Sequence, residues 1–137
     1  MKVLDVFESK NHTFIAMEYM PGGSLMSRLL EAEGRCLDEG SVRVIAYQLI
    51  LGLEYLHFKN IFHRDIKPAN ILMVGDHDNR VKLADFGVST VVSGSNQMAV
   101  TKCGTTRFKA PEVRLKNDTA YTSKIDIWSL GATIYLW

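Results

Sequence analysis

Residues 61–73 read IFHRDIKPANILM, and the reading of this stretch decides the fold. Ile61 and Phe62 at one end and Ile71, Leu72 and Met73 at the other predict that both ends enter a core. Between them stand Arg64, Asp65, Lys67 and Asn70, two cations, a carboxylate and an amide within seven residues. Such groups are costly to bring out of water unless something of opposite character meets them. Anchoring the loop at both buried ends also fixes where its polar side chains point.

Working outward, the segment before the loop is helical in spacing. Asp38 is the expected N-cap, and Val42, Ile45, Leu49, Leu53 and Leu56 recur every three or four residues as one apolar stripe. Ser41 stands where a capping box would carry Glu, and Asn60 is the expected stop. Earlier still, Ser24 is placed to cap a short helix, LMSRLLEAE, closed by Gly34. VLDVFES and FIAMEYM, separated by KNHT, read as strands, with PGG ending the second at residues 21–23. After the loop, NILMV and RVKLADF flank GDHDN, which predicts a small hairpin. Residues 88–109 have little periodicity and many hydroxyls, a length of irregular chain that is often functional. SKIDIWSLGATIYLW, apolar nearly all round at helical spacing, predicts a core helix.

The composition narrows the class. At 137 residues the chain has one-domain length, enough to bury roughly two thirds of its unfolded surface. An apolar fraction of 47% against 23% charged argues for a globular rather than a disordered chain. A net charge of +1 offers no nucleic-acid footprint and no polybasic membrane anchor. Cys36 and Cys103 fit neither a disulfide framework nor a zinc pattern, and no signal peptide or membrane span is visible. The expectation is an intracellular domain, cytoplasmic or nuclear, with no nucleic acid and no membrane among its partners.

Three motifs occur in order: HRDIKPAN at 63–70, DFG at 85–87 and APE at 110–112. DFG alone is weak. The five positions His63, Arg64, Asp65, Lys67 and Asn70 are specific, since at ~5% usage each they coincide about once in a few million starts. The set resembles the eukaryotic protein kinase family, serine/threonine type. MEYMPGGSL, LILGLEYLH, CGTTRFKAPE and DIWSLGA carry the resemblance along the whole chain. It implies an α+β fold, with residues 1–20 as the end of the N-terminal lobe and hinge and residues 21–137 as an incomplete, mostly helical C-terminal lobe.

The resemblance also assigns roles. Asp65 would orient the attacking hydroxyl and accept its proton, and Lys67 would place its ammonium on the transferring phosphate. Asn70 and Asp85 would offer oxygen ligands to Mg2+, with ATP as the nucleotide. On that reading the charges of the loop meet nucleotide phosphates and metal and need not neutralise one another. Met17 would sit at the back of the adenine pocket, Glu18 and Met20 on the hinge whose backbone bonds adenine, and Leu72 beneath the ring. Gly87 would let the chain turn sharply after Asp85. Lys67 and Thr105 favour Ser/Thr acceptors on protein substrates, with Thr105 holding Asp65 and Lys67. Arg64 would pair with a phosphate on Thr101, added by another kinase or by self-phosphorylation, and so order residues 88–109.

Blander roles sit beside these. His63 fits a packed column with Phe86 better than a general base, Cys103 a small packed residue better than a redox thiol. Asp126 is expected to accept backbone bonds from the catalytic loop rather than to bind a ligand. The methionines Met17, Met20, Met26 and Met73 read as pocket and core filler.

The departures from the family pattern are also informative. No G-x-G-x-x-G and no VAIK-like lysine occur, and Glu112 lacks the late-helix arginine that would pair with it, which leaves a carboxylate expected to be buried alone. The chain therefore reads as a kinase domain truncated at both ends. The alternative is a non-catalytic, kinase-like interaction module. VKLADFGVS resembles kinases of MAP-kinase cascades, while MVGDHDNRVKL and CGTTRFKAPEV resemble calcium/calmodulin-dependent kinases.

Overall fold

The computed structural model describes residues 1–76, 78–92, 99, 103–115 and 120–137. Thr101 lies outside the described residues.

The organising element is the helix α2 (Glu39–Phe58), which starts where Asp38 accepts a hydrogen bond from the Ser41 backbone N–H at 2.9 Å. Its buried face is Ser41, Ile45, Leu49 and Leu53, with Val42 and Leu56 partly covered, as the stripe predicts. The shorter α1 (Leu25–Glu31) begins at Ser24. There Ser27 completes a capping box in place of the usual Glu, because its hydroxyl accepts from the Ser24 N–H while Ser24 accepts from the Ser27 N–H. A short 3-10 turn, Glu33–Arg35, follows, with Gly34 at φ 71°. Leu25 and Leu29 of α1 meet Ile45, Leu49 and Leu53 of α2 in the main core. Each such side chain contributes about 1.5–3 kcal/mol of apolar burial.

Two small ladders frame the loop of interest. The pair β3 (Ile61–Phe62) and β6 (Thr90–Val91) is antiparallel, with Ile61 opposite Val91 and Phe62 opposite Thr90. The pair β4 (Ile71–Met73) and β5 (Val81–Leu83) forms the expected hairpin, Ile71 opposite Leu83 and Met73 opposite Val81. Its turn is held from outside. Gln48 of α2 donates to the Asn79 carbonyl and accepts from the Val81 N–H, while Arg28 of α1 donates to the Asp78 carbonyl. A second core of Phe62, Val92, Ala110, Val113, Tyr121 and Ile125 lies under the segment before α3 (Pro111–Leu115).

Two expectations are corrected. The last helix, α4 (Lys124–Tyr135), buries Ile125, Asp126, Ser129, Leu130 and Thr133 but leaves Ile127, Trp128 and Tyr135 exposed. Its described neighbours are α2 and a 3-10 turn at Thr106–Phe108, and apolar residues facing neither stay open. Glu112, expected in the interior, is exposed on α3, so water solvates it and no buried carboxylate stands unpaired there.

At the start of the chain, β1 (Val3–Glu8) and β2 (Thr13–Met17) form an antiparallel hairpin closed by a bond from the Ser9 N–H to the His12 carbonyl. Its strands pack chiefly on each other, and every β1 residue is exposed. Glu18, just past β2, takes two hydrogen bonds from Lys82 of β5 at 2.9 and 2.7 Å, tying the hairpin to the rest of the fold. Among the described residues no helix is long and apolar enough to cross a membrane.

Candidate active site

The loop between β3 and β4 is held in an unusual shape. Arg64 adopts φ 69°, a left-handed conformation that costs a non-glycine residue about 1–2 kcal/mol. Asp126, fully buried at the start of α4, fixes it there by accepting from the backbone N–H groups of His63 at 2.9 Å and Arg64 at 2.8 Å. Its carboxylate also lies 2.9 Å from His57 Nε2. His63 is buried too, with Nε2 3.1 Å from the Ala84 carbonyl and its ring 4.8 Å from that of Phe86, the packed column expected of it. Burial pushes the His63 pKa down, against the opposing pull of nearby Asp126.

Asp65 follows, and both of its carboxylate oxygens are occupied. Thr105 donates to Oδ1 through its backbone N–H and its hydroxyl, each at 2.7 Å. Lys67 Nζ and Asn70 Nδ2 donate to Oδ2 at 2.6 and 3.0 Å. Burial pushes the Asp65 carboxyl up, but the bonds from Lys67 and Thr105 outweigh it and hold the pKa below the ordinary value. Lys67 also reaches the Thr105 hydroxyl at 2.7 Å, so Thr105 holds both residues as expected. Within the loop the Lys67 ammonium pairs directly with Asp65, whereas Arg64 meets only neutral acceptors among the described residues.

Gly104 explains how Thr105 comes so close. A Cβ there would stand 2.2 Å from the Arg64 carbonyl oxygen, and its φ is 87°. Only glycine fits at such an approach. The sequence marked this position merely as the G of CGTT.

The loop leads into a short 3-10 turn at Pro68–Asn70 and then β4. The Asn70 carbonyl accepts from the Ala84 N–H at 2.9 Å, extending the β4–β5 ladder by one step and setting Asp85 beside Asn70 at its open end. Asn70 spends its Nδ2 on Asp65 and leaves Oδ1 without a hydrogen bond among the described residues. Asp85 is exposed, and its Oδ1 accepts only from the Gly87 N–H at 3.2 Å. The chain turns at Gly87–Val88, just after Asp85 as expected, closed by the Ser89 N–H on the Phe86 carbonyl at 3.0 Å, while Asp85 itself takes φ 61°. Asn70 Oδ1 and the Asp85 carboxylate are hard oxygen donors of the kind Mg2+ takes alongside phosphate oxygens and water. No group of three or more His, Cys, Asp or Glu side chains is assembled for a metal among the described residues.

The residues assigned to a nucleotide are brought together in part. Met17 and Asp85 line one cleft of about 400 Å³ with Val3, Ile15, Phe86 and Gly87. Glu18, Met20 and Leu72 do not line it. Glu18 instead spends its side chain on Lys82, whose hydrogen bonds lower its pKa. Met20 is buried, and Leu72 is partly covered within β4. Arg64 donates through Nε to the Val88 carbonyl and through Nη1 to the Tyr121 hydroxyl at 3.1 Å. Burial raises the Tyr121 pKa, and Arg64 offsets part of that rise. His57, Tyr121 and Lys82 carry no sequence signal of their own, because each acts through a neighbour distant in the chain.

A carboxylate gripped by lysine, threonine and asparagine is an arrangement able to orient a hydroxyl and to accept its proton. The chain belongs to the protein kinase domain family, which it matches over residues 1–137. It is 42% identical over 136 residues to the serine/threonine-protein kinase cds1 of Schizosaccharomyces pombe, covering 96% of this chain and 29% of that one. A probable serine/threonine-protein kinase of Dictyostelium discoideum is 39% identical over 135 residues, covering 98% and 16%. Calcium-dependent protein kinase 6 of Plasmodium berghei is 37% identical over 135 residues, covering 98% and 9%. The chain thus spans less than a third of the length of these relatives.

Proposed function

We propose that this chain is the catalytic-loop part of a serine/threonine kinase domain that transfers the terminal phosphoryl group of ATP to Ser or Thr hydroxyls of protein substrates. In this reading residues 1–20 end the N-terminal lobe and form the hinge, and residues 21–137 belong to the C-terminal lobe. The observation that carries it is the doubly anchored Asp65 carboxylate beside Asn70 and Asp85.

ATP with Mg2+ supplies an electrophilic phosphoryl group, and this chain's side chains supply alignment. Asn70 Oδ1 and Asp85 would hold the metal. Asp65, its pKa held down, is a weak base whose chief work is to orient the acceptor hydroxyl; it takes the proton late, which suits a loose transition state. Lys67, bonded to Asp65 and Thr105 in this structure, would give its ammonium to the transferring phosphoryl group. Among the described residues the Glu18 carbonyl accepts no backbone hydrogen bond and the Met20 N–H donates none, which leaves both for adenine.

Arg64 receives the phosphate placed on Thr101. Its present acceptors, a carbonyl and a phenol, are neutral, and a phosphate would add an opposite charge and two-oxygen geometry to the same fork of donors. Equal proteolytic protection of residues 88–109 with and without phosphate at Thr101 would count against this. The setting is intracellular, cytoplasmic or nuclear, which the free thiols Cys36 and Cys103 support.

The test is transfer to Ser, Thr and Tyr peptides by the protein at its full encoded length. Turnover on Ser and Thr alone, reduced by about 10²-fold or more in Asp65→Asn and Asp85→Asn, is expected. Turnover unaffected by either change would remove the proposal.

A further inference from the structure

We infer that Arg107 and Lys109 form a cationic shelf that selects protein substrates carrying an acidic residue next to the acceptor hydroxyl; the inference rests on the proposed role of Asp65.

Residues 102–116 hold five cations, Lys102, Arg107, Lys109, Arg114 and Lys116, against one carboxylate, Glu112, in a chain whose net charge is only +1. Lys102 and Lys116 lie outside the described residues. The side chains of Arg107, Lys109 and Arg114 make no hydrogen bond and no ion pair among the described residues, and Glu112 pairs with none of them. Cations elsewhere on the molecule are spent on neighbours. Arg43 meets Glu39, Arg80 meets Asp78 and Lys82 meets Glu18, each within 3.1 Å. An unpaired surface cation is ordinary by itself, because water solvates it. What singles these out is where they stand.

The backbone that carries them is fixed. Phe108 and Ala110 are buried on either side of Lys109, and the Ser129 hydroxyl of α4 donates to the Phe108 carbonyl at 2.8 Å. With Phe108 and Ala110 turned inward, Arg107 is exposed and Lys109 half-covered. Lys109 lines one small cleft with Arg64, Cys103 and Tyr121. Arg64 directly precedes Asp65, and Thr105, two residues before Arg107, donates twice to Asp65 Oδ1. The shelf therefore begins where the catalytic carboxylate is gripped. A hydroxyl offered to Asp65 belongs to a peptide that advances about 3.3 Å per residue, so the residues flanking the acceptor lie within reach of the long side chains of Arg107 and Lys109. Lys67 is already paired with Asp65, and Arg64 has its own acceptors, which leaves Arg107 and Lys109 to read the substrate. A carboxylate beside the acceptor meets opposite charge there, and a lysine meets repulsion, so the shelf discriminates in both directions.

The test compares peptides that differ only in the residue on either side of the acceptor, Glu, Gln or Lys, with the protein at its full encoded length. On at least one side kcat/KM should run Glu, Gln, Lys in falling order, each step about three- to fivefold. The spread should shrink between about 50 and 500 mM salt, as it must if charge carries it. Lys109→Glu should bring the Glu and Lys peptides level or invert them, and Arg107→Glu should narrow their ratio. Should Lys109→Glu fail to fold, Lys109→Gln decides, a ratio equal to the parent's being the contrary result. Equal turnover of the three peptides on both sides overturns the inference alone, and so does a ratio that survives both substitutions at Lys109. Absence of transfer to every peptide, or transfer undiminished in Asp65→Asn, instead removes the role of Asp65 and the inference with it.

Discussion

The loop at residues 61–70 and the hairpin at residues 3–17 both carry apolar residues in quantity, yet they meet opposite fates. In the loop, Phe62, His63 and Ile66 are buried, and Asp65 and Asn70 are buried with them, each bonded to its neighbours. In the hairpin, Val3, Val6, Phe7, Phe14 and Ile15 are all more than half exposed. Hydropathy alone would rank the hairpin as the better core. The difference is the number of elements that converge. Onto the loop come α4, Ala84 just past β5 and the segment through Thr105, each with a donor or acceptor that the loop needs, while α2 packs against β3. Burial follows from available partners, and polar groups go inside where those partners are polar too.

The sharpest way to break the contrast is Asp126→Ala. It strips one buried and two partly buried partners from the fully buried Asp126 site, and a loss of about 3–5 kcal/mol is expected in denaturant unfolding. Gly104→Ala should follow at about 2–4 kcal/mol, because the new Cβ meets backbone rather than a movable side chain and φ is already positive. Thr105→Val should cost about 1–2 kcal/mol of stability by deleting the hydroxyl bonds to Asp65 and Lys67. It should also raise the Asp65 pKa toward its ordinary value, visible as a later acid limb in the pH–rate profile.

Acidification gives a smaller effect with a defined sign. Burial holds the folded pKa of His63 below its unfolded value, so the unfolded chain takes up a proton that the folded one refuses. Stability is full above an unfolded pKa of about 6.5 and falls as pH drops toward the folded value. Melting temperatures between pH 7.5 and 5 should show this slope, and His63→Phe should flatten it. At the foot of the scale, Phe14→Ser in the 137-residue chain should change unfolding stability by no more than about 0.5 kcal/mol, since the side chain leaves little behind. A larger loss would mean that the hairpin is packed after all.

Much of the fold was legible because local chemistry specified it. Asp38 and Ser24 cap helices as read, and the β4–β5 register follows the apolar alternation. Asp65, Asn70, Asp85 and Thr105 could be found because motif spacing places them in one place. Other features depend on distant pairing. That Lys67 neutralises Asp65 is invisible in a string where the two are merely near. The turn at Gly87 was legible, but the positive φ of the exposed Asp85 before it was not, because glycine is the residue one expects there. The open side of α4 has the same origin, since Trp128 reports its own preference and not whether anything covers it.

The two-rung ladder of Ile61–Phe62 with Thr90–Val91 has a consequence for how the chain breathes. So few rungs give little cooperativity, and they are reinforced mainly by the Val92 N–H on the Asn60 carbonyl at 2.8 Å. Local opening here needs far less free energy than global unfolding. In deuterated water the Val92 amide should therefore exchange early, well ahead of Leu53 in α2, and the order of exchange would trace where the molecule first comes apart.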